Sequence, residues 1–231
     1  MTEENIVGRE ILLHALKAEP AVKIGLVIVE IGERANKEKV YLRNDFHNPP
    51  TFAEALNLLR KKNAAADHTT IVVQTGNLNN DAVARCLLEY SPDLILLDGS
   101  TIIKKKIFET ARIGAVNSHP GLLPKYRGVD SVRWAIYHGD PVGTTCHLVN
   151  DGIDTGPILL MEEVPYEKGM SLLEIRVSAM IAGVRLMIDA VQRLADGVLS
   201  PKSQSNEGAN YFSWAPVEVQ NAVEAKLSVN T

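Results

Sequence analysis

Asn117, His119 and Asp154 place an amide, an imidazole and a carboxylate close together in the chain. The first two lie in Asn117-Ser118-His119-Pro120-Gly121-Leu122-Leu123-Pro124-Lys125-Tyr126-Arg127-Gly128, the third in Asp151-Gly152-Ile153-Asp154-Thr155-Gly156-Pro157. These are groups suited to moving an acyl unit onto an amine. A tetrahedral intermediate at an acyl carbon needs a donor for its developing oxyanion, and the Asn117 amide N–H2 can supply one. The attacking amine must shed a proton, which His119 can accept or relay while Asp154 fixes the imidazole tautomer and stabilises its charged form. With that carboxylate beside it, His119 is expected to carry a raised pKa, so that activity falls on the acid side of neutrality.

Particular elements must position these groups. Ile113-Gly114-Ala115-Val116 reads as a short buried strand, and side chains two residues apart in a strand share a face, so Asn117 and His119 point together. Pro120 has no backbone donor to continue a ladder, which ends the strand there. Both side chains then stand at its carboxyl end, where ligands of open α/β sheets collect. Asp154 sits in a Gly-rich loop between strands expected over 144–149 and 158–164, and that loop can carry its carboxylate to His119.

Strands and helices alternate along the rest of the chain. Helices are expected over 4–18, 53–62 and 81–90, and strands over 24–29, 70–73 and 93–97, the last a continuous apolar run of the kind buried on both faces. Helical crossovers make this an α/β, Rossmann-like fold with a largely parallel twisted sheet flanked by helices. After Pro165, Ser171 and Glu174 form a capping box, and Leu172, Ile175, Met180, Val184, Met187, Val191 and Leu194 recur near helical spacing up to Gly197. Residues 200–210 are polar and loop-like. Tyr211-Phe212-Ser213-Trp214-Ala215-Pro216 precedes a short helix over 217–227, and its aromatics are expected to dock the tail onto the domain in preference to lining an acceptor site. The expected organisation is a catalytic domain over 1–197 and a C-terminal extension over 198–231.

The motif Asn-x-His-Pro-x-Leu-Leu-Pro-x-Tyr-Arg-Gly from Asn117, followed by Trp134-Ala135-Ile136, by Gly143-Thr144-Thr145-Cys146-His147 and by Asp151-Gly152-Ile153-Asp154-Thr155-Gly156-Pro157-Ile158-Leu159, resembles the 10-formyltetrahydrofolate-dependent formyltransferase family. The likeness spans about Asn77 to Pro165, in the family's order. It implies that Asn117, His119 and Asp154 are the catalytic triad and that 10-formyltetrahydrofolate is the co-substrate, with no metal. It places Gly121, Leu122, Leu123 and Pro124, with Gly152, Ile153 and Gly156, on the walls of the folate pocket, and Ser100, Thr101, Ile102 and Ile103 on its pterin side. The family pattern has Ser where this chain has Gly121, so a side-chain contact is not expected there, while a backbone contact is. The family also opens with a hydrophobic strand before its first helix, whereas this chain begins in the helix. That implies a true start upstream of Met1.

Within the family, the stretch Tyr126-Arg127-Gly128-Val129-Asp130-Ser131-Val132-Arg133-Trp134-Ala135-Ile136 looks like the sugar-modifying branch. The methionyl-tRNA branch carries a further domain for which the length after Pro165 leaves no room. The expected reaction is formyl transfer to a primary amine, an amino group of a nucleotide-linked sugar. The alternatives are a phosphoribosylglycinamide formyltransferase, a formyltetrahydrofolate hydrolase and a catalytically silent folate-binding protein.

Each residue taken alone has a plainer reading: Asn117 as a turn residue, His119 as a satisfied structural histidine, Asp154 as a turn residue beside Gly. Their joint occurrence favours function. A zinc site from His119, His138, His147 and Asp154 lacks the short ligand pairings such sites use, and His147 can simply pack near the pocket wall. The 231 residues, 45% of them hydrophobic, suffice for a substantial core. The net charge, 24 basic minus 28 acidic residues or −4, gives no basic face for nucleic acid. Lys104-Lys105-Lys106 reads as a solvated helix face. With only Cys86 and Cys146, no apolar run long enough for a bilayer and a polar start, a cytoplasmic protein is expected. Its expected partners are a small-molecule amine, no nucleic acid and no membrane, with a homodimer left open. Nucleotide cradles of the Gly-x-Gly-x-x-Gly and Gly-x-x-x-x-Gly-Lys type do not occur.

Overall fold

The computed structural model describes residues 23–30, 57, 71–97 and 99–228, in two units, Met1–Ala115 and Val116–Thr231. The helices expected over 4–18 and 53–62 and the question of a first strand fall outside the described residues, apart from a helical Asn57.

In the first unit the β-branched runs Leu26–Glu30 (β1) and Ile71–Thr75 (β2) pair in parallel, Leu26 opposite Ile71 and Glu30 opposite Thr75. The Asn80 side chain accepts the Val83 N–H at 2.8 Å and so caps helix Asp81–Tyr90 (α1), which buries Val83, Cys86 and Leu87. Strand Leu94–Leu97 (β3) is half-buried along its length. This corrects the expectation of a strand covered on both faces, since an apolar run alone cannot distinguish one covered face from two. A single helical turn, Lys105–Phe108 (α2), follows, and strand Gly114–His119 (β4) carries residues 116–119 into the second unit.

The second unit continues with Arg127–Gly128 (β5), Ser131–His138 (α3), Gly143–Leu148 (β6), Ile158–Glu163 (β7), Leu172–Ala195 (α4), Tyr211–Phe212 (β8) and Val217–Leu227 (α5). The parallel pairing expected of helical crossovers is present in β1 and β2. Here β6 pairs antiparallel with both β4 and β7; a loop joins β6 to β7, whereas helix α3 lies in the connection from β4 to β6. The register sets Asn117 opposite His147 and His119 opposite Thr145.

Helix α4 starts at the Ser171–Glu174 capping box and turns Ile175, Ala179, Gly183, Met187 and Ala190 inward, at spacings of three and four. Full burial of Ile175 and Met187 contributes about 1.5–3 kcal/mol each. A Cβ at Gly183 would stand 2.1 Å from Ser118 Oγ and 3.0 Å from Thr144 Oγ1. The missing side chain lets the helix press directly on the strands that carry the site.

The tail docks through aromatics. Strand β8 runs parallel to β5, and the Phe212 ring lies 5.3 Å from that of Tyr126 and 5.0 Å from that of Trp134. Trp134 Nε1–H donates to the Ser213 carbonyl at 2.8 Å. The Asp130 side chain, fully covered, accepts from Arg133, Arg176 and the Ala215 N–H, joining α3, α4 and the tail.

Candidate active site

The β4 pleat presents Asn117 and His119 on one face, and the loop between β6 and β7 brings Asp154 to them. Asp154 Oδ2 lies 3.5 Å from His119 Nδ1 and accepts the Gly128 N–H at 2.8 Å, while Oδ1 lies 3.6 Å from His147 Nε2. Asp154 itself takes a left-handed conformation, φ +52°, of a kind that costs about 1–3 kcal/mol and persists only where the surroundings impose it. The Asn150 side chain accepts from Gly152 N–H and from the Thr155 hydroxyl. At Gly156 a Cβ would fall 1.7 Å from the Leu148 carbonyl oxygen, so only glycine fits.

His119 has both ring nitrogens engaged and is 4% exposed. Its Nε2 lies 2.6 Å from the Tyr126 carbonyl oxygen and 3.2 Å from Ser131 Oγ. A carbonyl only accepts, so Nε2 carries the proton and Nδ1 faces the carboxylate. The tautomer is therefore set by the Tyr126 backbone rather than by Asp154, which corrects the sequence expectation. His147 is arranged similarly: Nδ1–H donates to the Leu148 carbonyl at 2.8 Å, leaving Nε2 toward Asp154 and 3.4 Å from Asn117 Nδ2.

The electrostatics follow from burial and these contacts. Loss of solvation lowers the pKa of His119 and outweighs the opposing pull of Asp154 and the Tyr126 carbonyl. The expected raised value is thus reversed, because the carboxylate acts on a ring already out of water. For Asp154, burial works to raise the carboxyl pKa, but the contacts with His147, His119 and the Gly128 N–H together hold it below the ordinary value. Near neutrality the cluster holds an ionised Asp154 carboxylate beside an uncharged His119 ring, an arrangement able to receive a proton.

The pocket-wall candidates separate into groups. Gly121 and Leu123 are buried, and Leu122 and Pro124 half-buried, with Leu123 N–H donating to Thr145 Oγ1 at 3.2 Å. Gly152 and Ile153 are exposed at the tip of the Asp154 loop and Gly156 is buried at its base. Ser100, Thr101, Ile102 and Ile103 belong to the first unit, where Asn79 Nδ2 donates to the Ile102 carbonyl at 2.9 Å. His138 stacks on Trp134. Among the described residues no group of three or more His, Cys, Asp or Glu is placed to hold a metal ion. Burial pushes the Cys146 thiol up to about 12, far from a thiolate nucleophile. No helix among the described residues is long and apolar enough to cross a membrane.

Sequence reasoning missed four contributors: the Tyr126 carbonyl, the Gly128 N–H, the second imidazole of His147 against Asp154, and the Gln204 side chain, whose Nε2–H2 donates to the Asp154 and Gly156 carbonyls. Tyr126, Gly128 and His147 stand within the quoted motif and Gln204 does not; the contact of His147 becomes legible only once its register against Asn117 is known.

The formyl transferase family profile matches residues 9–191. A methionyl-tRNA formyltransferase of Thermodesulfovibrio yellowstonii is 30% identical over 136 residues, 58% of this chain and 44% of that protein. The chain spans about half the length of the curated relatives it matches. Among solved structures, phosphoribosylglycinamide formyltransferase from Bacillus halodurans superposes with a TM-score of 0.59 at 22% identity, covering 81% of this chain and 89% of that one. The formyltransferase PseJ from Anoxybacillus kamchatkensis, solved with a UDP-linked formamido sugar and tetrahydrofolate, gives 0.54 at 20% identity, covering 81% and 85%. At such identities these structures show a shared fold.

Proposed function

The chain belongs to the formyl transferase family, and from that premise we propose that it transfers the formyl group of 10-formyltetrahydrofolate to a primary amine, with Asn117, His119 and Asp154 as its catalytic residues. The observation that carries the reading is the 3.5 Å approach of Asp154 to His119 Nδ1, the nitrogen left unprotonated because Nε2–H donates to the Tyr126 carbonyl.

The folate co-substrate would supply the formyl carbon: the amine nitrogen bonds to it, its bond to N10 of the folate breaks, and the proton lost by the amine goes to N10 so that tetrahydrofolate leaves. Residues of the Asp154 loop suit a flat, partly apolar ring system: Ile153 leaves an apolar side chain 39% exposed next to the carboxylate, and Gly152 adds no side chain of its own. Asn117 Nδ2–H is the donor for negative charge developing on the formyl oxygen. His119 is nearly closed off, so a proton shed by the amine reaches it through the Asp154 carboxylate, which becomes a relay as well as an orienting group. His147 Nε2 lies 3.6 Å from the other carboxylate oxygen and 3.4 Å from Asn117 Nδ2, so one ring touches both Asp154 and the proposed oxyanion donor.

For the acceptor, the nucleotide-linked amino sugar is the preferred reading. It is supported by the 126–136 stretch, by the absence of a basic excess in a chain of net charge −4, and by the nucleotide-sugar complex of PseJ. Methionyl-tRNA is the second reading, favoured by the names of the curated relatives. The test is a panel of nucleotide-linked amino sugars, glycinamide ribonucleotide and methionyl-tRNA, scored for tetrahydrofolate release with and without acceptor. Release only with an amino sugar supports the first reading, and release only with methionyl-tRNA replaces it with the second. Release without any acceptor would make the protein a hydrolase, and binding without turnover a folate-binding protein.

A further inference from the structure

We infer that Gln204, in the C-terminal extension, is a positioning residue that holds the Asp154 loop in its working conformation. The inference rests on the catalytic reading of Asp154 proposed above. Gln204 Nε2 donates to two backbone carbonyls of that loop, those of Asp154 at 2.9 Å and Gly156 at 2.7 Å. Its Oε1 accepts from Arg127 Nε at 3.2 Å and Nη2 at 2.8 Å.

The chemistry of these groups fixes the arrangement. Guanidinium only donates and carbonyls only accept, so the Gln204 amide has one orientation that satisfies all four contacts. Arg127 aims the amide, and the amide supplies both its N–H groups to carbonyls that no strand or helix pairs. Asp154 needs such a restraint because its backbone sits in the left-handed region. Next to Arg127, Gly128 N–H grips the Asp154 carboxylate at 2.8 Å. One short strand, β5, thus fixes the loop twice, directly at the side chain and through Gln204 at the backbone. Strand β5 is in turn paired to β8, so the tail supports the reacting carboxylate through both contacts.

Two replacements separate the parts of this device. Gln204→Met keeps the volume and removes every hydrogen bond. Gln204→Glu keeps an acceptor for Arg127 but turns a carboxylate toward the two loop carbonyls. With the wild-type protein and the amine panel, both variants are expected to lose about tenfold to a hundredfold in kcat, the scale of small misplacements of reacting groups. KM for the formyl donor should stay within about twofold, and Gln204→Glu should melt close to wild type because it retains the Arg127 pair. A space-filling role would leave Gln204→Met fully active, and that outcome overturns the inference, as does a loss confined to KM.

A second readout needs no turnover. In protein carrying 13C-labelled aspartate, the Asp154 carboxyl of wild type should titrate below the ordinary range, and in Gln204→Met a released loop draws it away from the Gly128 N–H and the two imidazoles, so the midpoint should climb back. An unchanged midpoint overturns the role of Gln204 whatever the activity. Absence of turnover in wild type with a shifted midpoint in the variant sinks the proposed reaction and leaves the latch standing.

Discussion

Gly121 abuts the ring of His119: a Cβ built on Gly121 would stand 2.7 Å from His119 Nε2 and 2.8 Å from both the Tyr126 carbonyl oxygen and Ser131 Cβ. The absent side chain is what lets the His119 Nε2–H reach the Tyr126 carbonyl. The family resemblance set Gly121 on a pocket wall with a backbone contact alone, since the family's Ser hydroxyl is missing; here Gly121 also leaves room for the His119 ring.

Gly121→Ala should therefore push the ring off its carbonyl. Overpacking of this kind costs about 1–3 kcal/mol of stability, and displacement of a reacting group by about 1 Å costs roughly a hundredfold in rate. Turnover and melting temperature measured together check this. An Ala variant with wild-type kcat would show that His119 does not depend on this contact.

The pH profile tests the reversed shift on His119. Burial holds its pKa below the ordinary 6.5, so the acid limb of kcat/KM should lie below that value rather than above it. Asp154 favours the charged ring, so Asp154→Asn should move the limb lower still while the maximum rate drops. A limb above 6.5 in wild type, or one that stays put in the variant, removes the coupling. Stability follows the same sign: below 6.5 the unfolded chain takes up the His119 proton before the folded one, so this contribution is present above 6.5 and fades as pH falls below it. Urea unfolding across that range reads it out.

Much of the site was legible in the sequence because strand periodicity and Pro120 locate Asn117 and His119 without tertiary information, and the glycines around Asp154 mark its loop. Helix α1, the Ser171 cap and helix α5 were equally readable from local signals. What was not legible is set across the chain. The tautomer of His119 depends on a backbone carbonyl in a turn, and Gln204 reaches the loop from 50 residues away in sequence. The pKa of His119 depends on a degree of burial that spacing does not encode.

Asn117 and His147 should differ in the size of their effects. Asn117→Ala removes the proposed oxyanion donor, and losses of about a hundredfold to a thousandfold in kcat are typical for such donors. His147 acts behind Asp154, so His147→Ala should cost less in rate. Since contact with His147 helps hold the Asp154 carboxyl down, His147→Ala should also raise the Asp154 titration midpoint. Equal rate losses in the two variants, with no movement of the Asp154 midpoint, would place both residues in a common structural role.

The docking of the tail makes its own contrast between two aromatics two residues apart. Phe212 is partly buried and stacks between Tyr126 and Trp134, whereas Trp214 is 70% exposed. Full burial of a phenylalanine makes its loss to Ala cost about 3–5 kcal/mol, and partial burial scales that to about 1–3 kcal/mol for Phe212→Ala. Trp214→Ala, a surface change, should stay within about 0.5 kcal/mol. Urea midpoints of the two variants decide between the readings of this segment. A cost at Trp214 equal to that at Phe212 would mean that Trp214 packs in solution. A loss of acceptor affinity in Trp214→Ala without loss of stability would assign the exposed ring to the acceptor site, and would divide the tail into a docking aromatic and a binding one.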